Sequence, residues 1–318
     1  MIDFLRARRR ALGIAAASAF ALLLASCGGG DQGLPPLFGT SVVFGASLND
    51  TGNLCTLRPS DCSPTPPYAA GKFSNGTLWV ETVAAQYGGN ATASLRGGTN
   101  YAYAGARTGA VPGITTPPTV PSMVQQMGQY LTKVNFHASA QALYIVDATN
   151  VGNNIADALV LGQTDPTAPT KVVTAAVGDI VTMVLTLYSA GARHIVVTNS
   201  TDIGRTPRVQ ALGAAAVAAA TQLSLGFNAA LAQQLAGIKA LSAGLNLYTV
   251  DVGALTAEVQ GNPAAFGLTN VTDACFNTLA SPPTLCTNPD QYFYWDPFHA
   301  TAATNAIVAQ RVLAAIGP

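Results

Sequence analysis

Charged residues are scarce in this chain. Asp, Glu, Lys and Arg together make up only 9% of its 318 residues, against roughly 25% in ordinary soluble proteins. The two signs balance at 15 residues each, so no basic patch points to nucleic acid as a partner. The surface must therefore be covered by Thr, Asn, Gln, Ser and Gly, which suits an exported protein and tolerates contact with apolar molecules.

Histidine is scarcer still, with three in the chain. His137 lies near the end of a predicted helix and His194 opens an apolar run, so both are interpreted as structural. His299 has a carboxylate at a useful spacing, because Asp296 precedes it by three residues in a loop ahead of a predicted helix. An imidazole held by a carboxylate in this way can take a proton from a hydroxyl nucleophile.

Cysteine is also rare, and no histidine keeps a metal-ligand spacing with the five that occur, which argues against a zinc site. Cys27 belongs to the N-terminal segment. The remaining four are an even number, as is usual in an oxidising compartment. Three pairings are possible in principle. Local pairing is favoured because each pair brackets a Pro-rich or irregular loop: Cys55 with Cys62, and Cys275 with Cys286.

The N-terminal segment is interpreted as an export signal rather than as part of the fold. Four arginines precede an apolar run over residues 11–25, which is shorter than the roughly 20 residues that a helix needs to span a bilayer. The run ends in Leu24-Ala25-Ser26-Cys27, which resembles the lipobox of bacterial lipoproteins. That resemblance implies a signal peptide over residues 1–26, cleavage before Cys27, lipid on its thiol and a lipidated tether over residues 27–37. The alternative is an ordinary signal peptide followed by a chance cysteine.

A candidate nucleophile follows the first strand predicted after this segment. The apolar, β-branched run that ends at Phe44 continues into Gly45-Ala46-Ser47. This order puts the Ser47 hydroxyl at the carboxyl end of a buried strand, where ligands bind in α/β sheets. The alternative is that Ser47 is only a turn residue or a helix cap.

Four blocks of the chain, at residues 45–53, 98–106, 142–154 and 295–299, each contain a candidate catalytic or oxyanion-binding residue. In this order the four blocks resemble those of the GDSL or SGNH family of serine esterases and lipases. The resemblance implies that Ser47 is the nucleophile, that His299 is its base and that Asp296 orients the base. It also implies that the backbone N–H of Gly105 and the side-chain amide of Asn153 bind the oxyanion.

The chain departs from the usual family pattern at three positions. The family usually has Asp where this chain has Ala46, Asp where it has Asn154 and Pro where it has Ala300. None of these changes removes a group that attacks, carries a proton or binds the oxyanion, but Ala46 loses a carboxylate that would brace the turn. The third block leaves its register open, so Asn150 competes with Asn153 as the oxyanion donor.

Beyond the N-terminal segment, short apolar runs alternate with longer segments of helical spacing. Strands are predicted over 142–146, 194–198 and 245–250, and helices over 78–87, 121–134, 154–161, 172–191, 211–241 and 301–316. This alternation predicts a parallel sheet covered on both faces. The resemblance implies a three-layer α/β/α, flavodoxin-like SGNH hydrolase fold with a mostly parallel sheet of about five strands. We expect one such domain over residues 38–318.

The resemblance implies a carboxylic ester hydrolase that needs no cofactor or metal and works through an acyl-enzyme on Ser47. Asp202, which follows the strand at 194–198, is the alternative acid, although the resemblance of its context favours a role in shaping the loop. The irregular loops over 63–76 and 108–121 are expected to form the walls of an acyl pocket, since long loops in compact domains are often functional.

The expected substrate is an ester in a lipid, an acylated glycan or a polyester. We expect a monomer, exported and anchored by lipidated Cys27 to the membrane of a Gram-negative-type bacterium, on the periplasmic face or at the cell surface. One alternative is an acyltransferase that uses the same site on a glycan or lipid. The other is a non-catalytic surface lipoprotein that binds lipid or polymer.

Overall fold

A parallel sheet lies at the centre of the structure, a computed structural model that describes residues 38–115 and 118–317. Its strands follow chain order, each hydrogen-bonded to the next: β1 (Thr40–Phe44), β2 (Ala142–Asp147), β3 (His194–Thr198) and β4 (Asn246–Val250). β2 is buried along its whole length, as expected for a strand covered on both faces. The predicted signal peptide, the tether and the lipidation of Cys27 lie outside the described residues.

A short segment around Asn100 pairs with the outer side of β1. The N–H of Val43 donates to Thr99 at 3.1 Å, and the N–H of Tyr101 donates to Val43 at 2.8 Å. The segment makes one isolated parallel bridge to β1, between Asn100 and Val43, and another between Asn100 and Ala93, and it is not a full strand. With it counted, the strand order becomes that of a flavodoxin-like sheet, which accounts for the predicted number of about five.

Helices cover both faces of the sheet. In chain order they are α1 (Asn53–Leu57), α2 (Trp79–Gln86), α3 (Met123–Lys133), α4 (Gly152–Leu161), α5 (Ala168–Ser189), α6 (Pro207–Gln210), α7 (Ala214–Leu241), α8 (Val252–Gly261) and α9 (Ala302–Ile316). Helices α3, α4, α5 and α7 pack around Phe44 and Tyr144 on one face, whereas α2, α8 and α9 pack around Val43 and Ile145 on the other. Neighbouring residues of a strand point to opposite faces. The predicted three-layer α/β/α fold is confirmed.

Two small sheets complete the described part of the chain. β5 (Asn270–Ala274) pairs in parallel with β8 (Tyr292–Tyr294), and β6 (Phe276–Asn277) pairs antiparallel with β7 (Thr284–Leu285). The Cys275–Cys286 disulfide joins the two ends of the segment that contains β6 and β7, and the Cys55–Cys62 disulfide closes the loop after α1. Both predicted local pairings are confirmed.

The predicted strands and helices are present, with ends that differ where Pro or Gly decides the backbone. The helix predicted from residue 172 begins at Ala168, because Pro169 occupies its first turn, where a missing N–H costs nothing. The helix predicted over 211–241 begins only at Ala214, after Gly213 with its φ of +93°, and the short helix α6 before it was not predicted. Glycine adopts positive φ without the penalty of a side chain.

Gly45 lies where β1 ends and the chain turns sharply. A Cβ on this residue would lie 2.2 Å from Asn49 Oδ1 and 3.1 Å from Asn150 Nδ2. Its N–H donates to Gln126 Oε1 at 3.0 Å, and its carbonyl accepts from Gln126 Nε2 at 2.9 Å. The fully buried Gln126 of α3 thus pairs backbone groups that the sheet no longer pairs.

We expect Gly45→Ala to lower the free energy of unfolding by about 1–3 kcal/mol, because the added methyl overpacks the turn. Gly226→Ala is the matched control, since Gly226 lies inside α7 with open space around it, and there alanine should raise stability by up to about 1 kcal/mol. Urea unfolding followed by circular dichroism measures both. A Gly45→Ala protein as stable as the wild type would contradict the close packing.

Candidate active site

A cleft of about 520 Å³ lies at the carboxyl edge of the sheet. It is lined by residues from every one of the four blocks, including Ser47, Gly105, Asn153, Asp296 and His299. The fold therefore brings together all five residues that the sequence singled out. The two loops that were expected to border the site also reach the cleft, and they contribute Phe73, Thr119 and Val120.

Ser47 lies in a tight turn directly after β1, called here the Ser47 turn (residues 45–53). The N–H groups of Asn49 and Asp50 both donate to the carbonyl of Ala46 at 3.0 Å, and the Ser47 residue is 7% exposed. Ala46 is fully buried in an apolar cluster that also contains Leu54, Tyr103, Ala104, Ala106 and Val120. At the position where the family usually has a carboxylate, this chain therefore makes apolar contacts.

Asp50 braces the Ser47 turn from within. Its carboxylate accepts hydrogen bonds of 2.6–3.0 Å from four backbone N–H groups, those of Gly52, Asn53, Leu54 and Ala104. Burial raises the pKa of Asp50, and the four N–H donors act in the opposite direction. Because Ala104 directly precedes Gly105, this carboxylate connects the nucleophile to the loop that is expected to bind the oxyanion.

Three hydrogen-bond donors meet at the cleft beside Ser47. In the part of the chain that the structure describes, the backbone N–H groups of Ser47 and Gly105 have no acceptor. Gly105 has a φ of +82°, a conformation that favours glycine. Asn153, in the first turn of α4, donates its amide to the carbonyl of Ala106 at 2.8 Å. Such a set of donors suits the oxyanion of a tetrahedral intermediate.

Asn150, the competing oxyanion donor, has its amide directed elsewhere. Its Nδ2 donates to Asn49 Oδ1 at 2.7 Å and to the Asp147 carboxylate at 2.8 Å. It is buried and is not among the described residues that line the cleft. Burial raises the pKa of Asp147. The geometry therefore favours the register with Asn153 at the cleft and gives Asn150 a role beneath the Ser47 turn.

Asp296 and His299 form a tightly bonded pair. The Asp296 Oδ2 lies 2.7 Å from His299 Nδ1, and its Oδ1 accepts the N–H groups of Phe298 and His299 at 2.8 Å each. Burial pushes the pKa of Asp296 upward, but the charge and hydrogen bond of His299, with the bonds from Tyr68 and Phe298, outweigh it and lower the pKa to about 2. The ionised carboxylate holds Nδ1, which leaves Nε2 of His299 to exchange a proton.

The His299 loop is held by a segment that follows the Ser47 turn. The Tyr68 hydroxyl donates to Asp296 Oδ2 at 2.7 Å, and Ser74 donates to the Ala300 carbonyl at 2.8 Å. The ring centroid of Phe73 lies 5.3 Å from that of His299. Sequence reasoning placed this loop near the nucleophile but did not identify Tyr68, because a tyrosine 228 residues from its partner carries no local signal.

A second buried cluster connects α4 to the loop after Gly105. Asn154 accepts the N–H of Thr108 and donates its amide to the Thr108 hydroxyl, both at 3.1 Å. That hydroxyl donates to Asp179 of α5 at 2.7 Å, and burial raises the pKa of the Asp179 carboxyl. Asn154 and the carboxylate of Asp179 thus share Thr108 as a partner, a contact that no motif in the sequence indicates.

The other candidate residues have structural contacts. His137 is exposed and bonds the carbonyl of Asn135, whereas His194 stacks on Tyr248 at the amino end of β3, the edge opposite the cleft. Asp202 accepts from the N–H of Gly204 and the hydroxyl of Thr221, which agrees with a role in shaping its loop. Within the described residues no group of three or more His, Cys, Asp or Glu side chains is arranged to hold a metal ion.

The fold and the residues around the cleft agree with a known family of hydrolases. The model of the GDSL-like lipase/acylhydrolase family matches residues 42–312. The chain belongs to this family, which has the α/β SGNH hydrolase fold.

Similar proteins in this family span hydrolysis and acyl transfer. A phosphatidylcholine-sterol acyltransferase of Aeromonas hydrophila is 28% identical over 274 residues, which cover 85% of this chain and 71% of the relative. A GDSL esterase/lipase of Arabidopsis thaliana is 27% identical over 325 residues, 90% of this chain and 83% of the relative. An acetylesterase of Thermothelomyces thermophilus is 25% identical over 278 residues, 85% of this chain and 86% of the relative.

The lowered pKa of Asp296 predicts a specific acid sensitivity. A carboxyl whose pKa is lower in the folded protein than in the unfolded chain stabilises the fold when it is ionised. The contribution of Asp296 is therefore present above its ordinary pKa of 3.8 and is lost as the pH falls through its folded pKa of about 2. Between about pH 5 and pH 2, we expect the wild type to lose about 2 kcal/mol more stability than Asp296→Asn. Denaturant unfolding at several pH values measures this difference, and parallel pH dependences would contradict it.

The Thr108 cluster predicts that positions 154 and 179 are coupled. Asn154→Asp alone should cost about 1–3 kcal/mol of stability, because two carboxylates would then compete for the single hydroxyl proton of Thr108. Adding Asp179→Asn should recover part of the loss, since the new amide can donate to the hydroxyl while the new carboxylate accepts its proton. Unfolding free energies of both single variants and the double variant form the cycle. Strictly additive losses would exclude the coupling.

Proposed function

We propose that this protein is a serine-type carboxylic ester hydrolase. The observation that carries the proposal is that Ser47, the Asp296-held His299 and the N–H groups of Ser47 and Gly105, which have no acceptor in the described residues, line one cleft. Each of these groups has a defined part in acyl transfer through a covalent intermediate. Membership of the GDSL-like lipase/acylhydrolase family supports the same reaction.

In the proposed mechanism the Ser47 Oγ attacks the ester carbonyl while His299 Nε2 takes its proton. The N–H groups of Ser47 and Gly105 and the Asn153 amide receive the oxyanion, and Asp296 stabilises the charged imidazole. The imidazolium then returns the proton to the leaving alcohol. In the second half of the reaction, water attacks the acyl-enzyme while His299 takes its proton, and His299 returns that proton to Ser47 Oγ as the acid leaves. No hydrogen bond joins Ser47 Oγ to His299 in the described residues, and such contacts often form only with substrate present.

We further propose that the hydrolase domain spans residues 38–318 and is exported as a lipoprotein. Signal-peptide cleavage before Cys27 would leave a lipid on its thiol, a tether over residues 27–37 and a monomer on the membrane of a Gram-negative-type bacterium. The lipobox resemblance supports this proposal, and so do the two disulfides, which belong to oxidising compartments.

Acyl transfer is the second candidate function. The same acyl-enzyme would be resolved by a hydroxyl of a glycan or lipid instead of water, and the name of the Aeromonas hydrophila relative favours this outcome for that protein. Product analysis with an added alcohol distinguishes the two, because a transferase forms a new ester where a hydrolase releases the free acid. A non-catalytic lipoprotein would release neither.

The nucleophile is tested with nitrophenyl esters of increasing acyl length, from acetyl to palmitoyl. We expect Ser47→Ala to lower kcat by at least about 10³-fold for every ester, to the background left by binding and the oxyanion donors. Circular dichroism checks that the variant remains folded. Equal rates for the wild type and Ser47→Ala across the series would overturn the proposed function.

The oxyanion register is tested with two asparagine variants. Asn153→Ala should lower kcat on the order of 10²- to 10³-fold, the usual cost of one oxyanion donor. Asn150→Ala should instead lower the free energy of unfolding by about 1–3 kcal/mol, because its partners Asn49 and Asp147 lose a buried bond. A fully active Asn153→Ala beside a folded but inactive Asn150→Ala would reverse the assignment.

A further inference from the structure

A second, larger cavity lies beside the cleft. This groove has a volume of about 1050 Å³ and runs between α4 on one side and α6 and α7 on the other. It shares Ala156, Arg208 and Phe298 with the cleft, so the two cavities adjoin along these residues. The backbone N–H of Arg208 donates to the carbonyl of Pro297 at 2.9 Å, which fastens this end of the groove to the His299 loop.

The lining of the groove is mostly apolar and includes several small side chains. Among the described residues that line it, Arg208 is the only charged one, and it lies at the end shared with the cleft. Val160 and Leu212 border the groove and are 65% and 66% exposed. The room inside comes from alanines on one stretch of α7: Ala215, Ala216, Ala218 and Ala219.

The groove continues from the oxyanion side of the cleft. Ala156 lies three residues beyond Asn153 on α4, and residues at this spacing share one face of a helix. A chain attached to the carbonyl carbon at Ser47 therefore has a direct path along α4. The cleft has further polar side chains that do not line the groove, namely Asp61, Thr119 and Thr278.

We propose that the groove holds the acyl chain of a long-chain fatty acid ester, with the polar alcohol of the same ester over Asp61, Thr119 and Thr278. This inference rests on the proposed function. It differs from the expectation drawn from the sequence, since this apolar cavity beside the cleft lies between α4 and α7 and not between the two irregular loops. A long acyl chain matches an apolar groove that adjoins the cleft of the nucleophile, because burying methylenes is favourable in proportion to their apolar surface.

Chain-length dependence of kcat/KM tests the proposal on the purified protein. Nitrophenyl esters from butyryl to dodecanoyl are used below the concentrations at which they aggregate. Each added methylene should raise kcat/KM about fourfold until the groove is filled, which corresponds to about 0.8 kcal/mol per buried methylene. A Ser47-dependent rate that is flat or falls with acyl length would overturn the groove assignment and leave the ester hydrolase intact.

Ala219→Trp tests the groove itself. Ala219 is exposed on α7 and lines the groove, so an indole there fills the cavity from the surface without entering the core. We expect the ratio of kcat/KM for dodecanoyl to butyryl esters to fall at least tenfold. Ala229→Trp is the matched control, because Ala229 is exposed on the same helix and is not among the groove residues. Equal ratios in both variants would overturn the proposal.

Two further experiments test binding to the groove without hydrolysis and the orientation of the ester in it. In the Ser47→Ala protein, a fluorescent long-chain fatty acid should bind, and Ala219→Trp should weaken its binding at least tenfold, so the groove is tested even if no ester is hydrolysed. Acetate esters of long and short alcohols test the orientation. A preference for long alcohols that Ala219→Trp removes, with none for long acids, would overturn the acyl assignment.

Discussion

The buried carboxylate of Asp50 is the contact on which the geometry of the cleft depends. It accepts two N–H groups from the turn that carries Ser47, a third from Leu54 directly after the turn and a fourth from Ala104, next to Gly105. A buried carboxylate is costly unless it is paired or hydrogen-bonded, and charge-assisted bonds of this kind are among the stronger ones in proteins. The nucleophile and the expected oxyanion loop are thereby held by one side chain, although they lie in separate blocks of the sequence.

Other buried side chains around the cleft also hold loops in place by hydrogen bonds. At the carboxyl edge the strand ladder ends, so backbone groups there need other partners. Gln126 pairs both polar groups of Gly45, and Asn153 bonds the carbonyl of Ala106. Tyr68 secures Asp296 from another loop. The sheet decides which loops meet, whereas these buried side chains decide the distances between them, and that division explains how irregular loops can hold catalytic groups in a fixed arrangement.

Local patterns in the sequence were enough to predict the alternating strands and helices, the two disulfides, Ser47 and the pair of Asp296 and His299, whereas Gly105 and Asn153 followed from the family resemblance. Each of these signals lies within a few residues: a β-branched run before Ser47, or Asp296 three residues before His299. Tyr68 and Asp179 were not predicted, because their partners lie 228 and 71 residues away and their own neighbourhoods are unremarkable loop and helix. The groove was not predicted either, since an alanine-rich stretch of α7 indicates a helix but not what faces it.

The apolar composition of the chain is used differently in its two longest helices. Helices α5 and α7 are long and apolar enough to cross a membrane by length and composition alone. In the fold, α5 buries residues such as Ile180 and Leu187 against the core, whereas the alanines of α7 around Ala219 remain open and line the groove. An exposed apolar surface invites aggregation unless it has a ligand. Small alanine side chains each expose little apolar surface while leaving room for an alkyl chain, which suits the binding proposed for the substrate.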